Sequence, residues 1–309
     1  MAAAVARAVR IRAIALLTLA PLFWSVNWIV GRGLADHVPP LAMTFYRWLF
    51  AIVILAPFTL PQVIRERALI VRHWRTLAAL GVVGVGIHNA LAYLGLRYTT
   101  ATNGVILNSF IPILIVAMSR LALGERLSRM QLAGVLVSLA GVLTILSKGS
   151  PAAIVGLRFN GGDLLIVLSM AMWAAYTIGL RFRPPGMRML SFLFVIACFG
   201  DLSVLPFYAA ESALGEPMAW TPEVALAIAA VALLSSVLAY VFWNRGVEAL
   251  GAGVAGLFVH LMPVFGVALA WLTLGEHLAP YHVAGIALIV AGLYATSRVA
   301  QGYAAGARP

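Results

Sequence analysis

The chain has 309 residues, of which 63% are hydrophobic and 10% charged, whereas water-soluble domains run near roughly 45–50% apolar and 25% charged. With a mean hydropathy of +1.00 it carries too much apolar surface for one aqueous core, and at about 20 residues per membrane-spanning helix it has room for ten spans and little else. The net charge of +11 does not mark a nucleic-acid surface, because the arginines stand in short clusters between apolar runs rather than along one polar face.

The first apolar run, 11–34, follows Arg7, Arg10 and Arg12. It resembles a secretory leader at its start, but it continues past Trp24, Asn27 and Trp28 without a small-residue cleavage pattern, so it reads as a retained helix. The next runs are 40–60, which holds Arg47, and 74–96, which holds Gly81, Gly84, Gly86, His88 and Asn89. Then come 103–123, with Asn108, Ser109 and Pro112, and 130–147. The second half supplies 161–180 with Trp173, Tyr176 and Thr177, 189–209 with Cys198 and Asp201, and 222–247 with Tyr240 and Asn244. It ends with 253–274, holding His260 and Pro263, and 281–299. All ten are expected as helices, because a backbone facing lipid must satisfy its own hydrogen bonds. The alternation of a barrel is absent, and the single cysteine excludes an intrachain disulfide and a cysteine-based metal site.

Cytoplasmic loops are enriched in Arg and Lys, which tests the span count. With the amino end inside, the inner segments hold Arg7, Arg10, Arg12, Arg65, Arg67, Arg72, Arg75, Arg120, Arg126, Arg129, Arg181, Arg183, Arg188, Arg245, Arg298 and Arg308. The outer segments hold Arg32, Arg97, Lys148 and Arg158, and the seventh-to-eighth connection carries Glu211, Glu216 and Glu223. A shift of one span would scramble this bias, so both termini are expected in the cytoplasm and the protein in a cell membrane.

The sequence also repeats internally. Residues 112–141 lie on 263–292 without a gap, pairing Leu123-Gly124-Glu125 with Leu274-Gly275-Glu276, and Gly134 with Gly285. The same register pairs Gly95 with Gly246, and an offset shorter by two pairs Trp24 with Trp173. Each half, 1–148 and 161–299, therefore holds five spans, followed by a short tail at 300–309. Because five is odd, the second half enters the membrane upside down, which is the inverted repeat of many secondary transporters.

With its paired prolines Pro112 and Pro263, the Leu-Gly-Glu elements at 123–125 and 274–276, Gln131, the glycines Gly134, Gly141, Gly285 and Gly292, and Arg47 in the second span, the chain resembles the drug/metabolite transporter superfamily. The likeness is to its ten-helix EamA type and, within that, to YddG-type amino-acid exporters. The resemblance implies an all-α membrane fold of two inverted five-helix repeats and export of amino acids, including neutral and aromatic ones, through a cavity between them. Other metabolites, cationic drugs or a channel-like path are the alternatives. His277 departs from the arginine at the matching place in the first copy.

Polar side chains inside spans are expensive and tend to face a watery interior. Trp24, Asn27, His88, Asn89, Asn108, Trp173, Tyr176, Tyr240 and His260 are therefore the expected solute-contacting residues, and by resemblance their helices line the family's cavity. The competing reading is helix packing through interhelical hydrogen bonds. His88 and His260 also have the chemistry for proton coupling. Arg47 and Asp201 are expected in structural or gating roles, paired with each other or with backbone. Pro112 and Pro263 are expected to kink their helices, and Glu125 and Glu276 to cap or cross-link theirs. No facing carboxylates, intramembrane aspartyl-protease motif, His-rich metal spacing, buried lysine or phosphate-cradling loop is present, so no enzyme, cofactor or metal is expected. The expected partners are a small solute and lipid, with a monomer compatible with such a path.

Overall fold

The computed structural model describes residues 2–34, 38–99, 101–124, 128–150, 152–153, 160–215, 218, 220–274 and 277–306. Among them the fold is all helical. The spans are α1 (Ala2–Leu34), α2 (Pro40–Arg65), α3 (Trp74–Tyr98), α4 (Ala101–Asn108 and, after a turn, Ile111–Leu123) and α5 (Arg129–Leu146). The second set is α6 (Gly161–Gly179), α7 (Met189–Ala213), α8 (Pro222–Leu250), α9 (Ala252–Leu257, a 3₁₀ turn Phe258–His260, then Leu261–Leu274) and α10 (Pro280–Gly306). Nine of these carry stretches long and apolar enough to cross a membrane, and α10 supplies a shorter apolar stretch, Pro280–Thr296. A short helix, Arg67–Arg72, joins α2 to α3.

Several helices run past the apolar runs, as α2 does to Arg65 and α8 to Leu250. An apolar run marks the hydrocarbon depth, whereas the hydrogen-bond ladder continues until a cap stops it. Ser128 and Gln131 form a capping box at the start of α5, and Asn160 and Asp163 form one at α6, satisfying two N–H groups at α5 and three at α6. The Glu211 carboxylate of α7 accepts from the backbone N–H groups of Leu41 and Ala42 at 3.1 and 2.8 Å, so it caps α2 across the bundle. The Gly of Leu123-Gly124 ends α4 with φ +67°, a left-handed cap that costs glycine little.

The repeat reaches into local irregularities. A π-helical segment interrupts α3 at Val82–Ile87, and another interrupts α8 at Ala232–Leu238. The 151-residue offset superposes them almost residue for residue. Such segments occupy well under about 1% of residues in proteins and concentrate at functional sites. The break in α4 at Ser109–Phe110 likewise matches the 3₁₀ turn at Phe258–His260 in α9. Each break lies just ahead of its proline, Pro112 or Pro263, where the missing N–H and the ring disfavour a continuous helix.

The two copies pack crosswise: α1 against α8, α3 against α6, α2 against α7 and α5 against α10. At the last of these, the repeat-matched glycines let backbones touch. A Cβ on Gly141 would stand 2.6 Å from the Gly285 carbonyl oxygen, and one on Gly285 would stand 2.6 Å from the Gly141 oxygen. Small residues at such crossings supply the close packing that holds helices together in lipid.

Candidate functional site

The repeat-related Trp24 (α1) and Trp173 (α6) meet edge to face, with ring centroids 5.1 Å apart and an interplanar angle of 89°. Around them stand Tyr240 and Trp243 of α8, Tyr176 of α6 and His88 of α3. Trp24 contacts Tyr240 at 6.3 Å and Trp243 at 5.3 Å, and Trp173 contacts His88, Tyr176, Tyr240 and Trp243 at 5.0–5.5 Å. Offset and edge contacts of this kind are each worth about 0.5–1.5 kcal/mol beyond burial.

The π segments supply the polar half of the site, because their altered hydrogen bonding presents carbonyls to neighbouring side chains. Gly84 and Ser235 are repeat mates. The Gly84 carbonyl accepts from Tyr240 Oη at 2.8 Å. The Ser235 carbonyl accepts from Trp24 Nε1 at 3.2 Å and from Arg47 Nη2 at 3.3 Å, while Ser235 Oγ donates to the Phe23 carbonyl at 2.7 Å. Asn89 and Tyr240, also repeat mates, join directly, Asn89 Nδ2 donating to Tyr240 Oη at 3.2 Å. His88 Nδ1 lies 2.9 Å from both the carbonyl and the hydroxyl of Ser169, fixing α3 to α6.

Two further bonds flank the aromatic pair. Tyr93 Oη donates to Asn27 Oδ1 at 2.9 Å on one side, and Tyr176 Oη donates to Asn244 Oδ1 at 2.9 Å on the other. The latter is buried throughout, whereas Tyr93 and Asn27 are half-buried.

Of the residues singled out in the sequence, Trp24, Asn27, His88, Asn89, Trp173, Tyr176 and Tyr240 thus join one connected cluster. Asn108 and His260 stand apart at the helix breaks. His260 is held between Ser138 Oγ of α5, 2.7 Å from Nδ1, and the Ser109 carbonyl of α4, 2.8 Å from Nε2. Asn108 donates to Met262 Sδ at 3.4 Å. Arg47 does not meet Asp201. Its guanidinium turns instead to α3 and α8, and buried Asp201 leaves Oδ1 without a hydrogen-bond partner. Of the two arrangements expected for Arg47, a pair with Asp201 or bonds to backbone, the second is found: Nη2 bonds the Ser235 carbonyl, beside the Ser236 hydroxyl on Nε. Glu125 and Glu276 lie outside the described residues. Tyr93, Trp243, Ser169, Ser235 and Ser236 are site residues that the sequence reading missed. The repeat offset would have found Tyr93 as the mate of Asn244.

A ten-helix inverted repeat closed around an aromatic and polar seam defines a multi-pass membrane protein that transports a small molecule, not an enzyme. The chain belongs to the EamA-like transporter family, which matches residues 11–147 and 160–298. It is 30% identical over 288 residues to an uncharacterized transporter of Archaeoglobus fulgidus, covering 91% of this chain and 96% of that one. The uncharacterized transporter YyaM of Bacillus subtilis is 31% identical over 225 residues, 71% of this chain and 72% of that one. A probable terminal-alkyne amino-acid exporter of Streptantibioticus cattleyicolor is 25% identical over 296 residues, 93% of this chain and 94% of that one. One crystal structure shares the fold at a TM-score of 0.73 and 22% identity, spanning 94% of this chain and 99% of that one.

Proposed function

We propose that this transporter exports neutral amino acids, including aromatic ones, by alternating access across the Trp24–Trp173 seam, with both termini in the cytoplasm. The observation that carries the reading is the seam itself: crossed indoles at the pseudo-two-fold, bordered by the amide of Asn89 and the hydroxyl of Tyr240. Aromatic faces suit an apolar side chain, and amides and hydroxyls suit a zwitterionic head. Repeat-matched helix breaks on either side provide paired places where the bundle can bend. The exporter of Streptantibioticus cattleyicolor named above supports the substrate class, and the arginine bias of the loops supports the orientation.

The test is flux in proteoliposomes loaded with amino acids, amines, sugar phosphates and nucleotides. Saturable flux of neutral amino acids, accelerated by counter-solute, is expected. Movement of amines or sugar phosphates in place of amino acids would overturn the substrate class, and unitary ionic currents would replace the carrier with a channel.

A further inference from the structure

Arg47 lies well inside the apolar run 40–60, and it is 3% exposed. Its Nε donates to Ser236 Oγ at 2.6 Å, its Nη1 to Asn89 Oδ1 and Tyr93 Oη, both at 3.1 Å, and its Nη2 to the Ser235 carbonyl at 3.3 Å. Every one of these partners is neutral, and among the described residues Arg47 forms no salt bridge. Dipoles solvate a guanidinium but leave its unit charge in place, and an uncompensated charge at membrane depth is expensive.

Helix packing alone does not account for that expense. Under the two repeat offsets, the positions of α7 that match Arg47 are Ile196 and Cys198, so the second copy packs its equivalent helix with no charge there. The charge also communicates with the seam. Tyr93, which accepts from Arg47, donates in turn to Asn27, and Asn27 lies one helical turn from Trp24 on the same face of α1.

We infer that Arg47, with Tyr93 and Asn27, forms a carboxylate-recognising subsite on one side of the aromatic seam. The inference rests on the amino-acid reading above and adds the residue that tells an amino acid from an uncharged or amine analogue. The planar fork of the guanidinium matches a carboxylate in two parallel bonds, which an ammonium does not. The incoming carboxylate takes the place of Asn27 on Tyr93 and of Asn89 on Nη1, so the solute's side chain is left against Trp24 and Trp173.

The test uses the full-length protein in proteoliposomes and compares uptake of phenylalanine with that of phenylalanine amide, which lacks the carboxylate. The unsubstituted protein is expected to prefer the acid by about tenfold or more, as for a hydrogen-bonded charge pair. Arg47→Gln, which keeps hydrogen bonding and loses the charge, is expected to bring the two compounds within about threefold, with Arg47→Lys intermediate. Tyr93→Phe provides a second reading should Arg47→Gln fail to fold: the KM for the acid is expected to rise several-fold more than that for the amide. A preference for the acid that survives Arg47→Gln, or a Tyr93→Phe protein whose two KM values move together or not at all, would overturn the subsite alone. A protein that moves neither compound would overturn the amino-acid reading, and the subsite with it.

Discussion

Tyr93 and Asn244 occupy the same position of the two repeats, 151 residues apart, and each supplies a different half of one kind of hydrogen bond. Tyr93 of α3 donates to Asn27 of α1, while Asn244 of α8 accepts from Tyr176 of α6, both at 2.9 Å. Asn27 and Tyr176 are themselves repeat mates under the shorter offset. The chemistry is thus conserved between the copies with donor and acceptor exchanged. Because the copies are inverted, the bonds lie on opposite sides of the Trp24–Trp173 pair.

If these bonds latch the two faces, removing either should shift access to its own side. A neutral hydrogen bond is worth about 1 kcal/mol net, or roughly fivefold in the open-to-closed ratio. With Cys198 replaced by Ser, reporter cysteines at Ala92 and Val247 would be labelled by an impermeant thiol reagent. Tyr93→Phe is expected to speed labelling at 92, and Tyr176→Phe at 247, each about fivefold. Unchanged rates in both would show that the bonds only decorate the helices.

The crossed indoles make a second prediction. Trp24→Ala removes edge contacts to Trp173 and Tyr240, a tilted contact to Trp243 and the Nε1 bond to the Ser235 carbonyl. At about 0.5–1.5 kcal/mol per ring pair, it should cut kcat/KM for a neutral amino acid by roughly tenfold or more. Asn89→Ala, which strips Arg47 and Tyr240 of a partner, should weaken flux as well. Trp24→Phe should recover part of the loss, and initial rates over a concentration series would show whether it does.

The spans and the repeat were legible because lipid imposes length and apolarity on every helix, and because a duplicated unit leaves matched Pro and Gly positions. Trp24, Asn89, Trp173 and Tyr240 were legible because a polar or amphipathic group at mid-span is costly wherever it lacks a partner. The π segments were not. Their only local traces are Gly84-Val85-Gly86 and Ser235-Ser236, which read equally well as ordinary small-residue packing. Arg47 was visible as a buried charge, but its partners, one carbonyl and one hydroxyl of the π segment of α8 and two side chains of α3, come together only in the tertiary fold and leave no short-range signature. Trp243 and Tyr93 lie nearer the span ends, where aromatic residues commonly anchor helices at the lipid–water boundary.

The α5–α10 crossing predicts where stability resides. Gly141→Ala sets a methyl 2.6 Å from the Gly285 oxygen and 2.8 Å from the Ile289 nitrogen, contacts that only backbone movement relieves. Overpacking of this kind costs about 1–3 kcal/mol, so the unfolding temperature in detergent should fall by several degrees. Gly266→Ala, whose new methyl meets nothing within 4 Å, is the matched control and should leave it unchanged. An equal fall in both would mean that the loss reflects glycine replacement in general and not the crossing.

His260 yields the last prediction, and its sign depends on where its partners would turn without it. The ring fills a buried space between two helix breaks, with one nitrogen at the Ser138 hydroxyl and the other at the Ser109 carbonyl. That carbonyl lies in the turn that breaks α4, outside the helical ladder. His260→Ala would strand an acceptor and leave a cavity, at about 1–3 kcal/mol for the unsatisfied group alone. His260→Gln, with a donor within reach of the carbonyl, should restore part of that. If the histidine only staples α9 to α4 and α5, thermal stability should fall in the Ala variant and recover in Gln, while the KM of the folded fraction stays within about twofold. A KM that rises many-fold in both variants with stability unchanged would instead put His260 in contact with the solute, and would extend the site from the aromatic seam to the helix breaks.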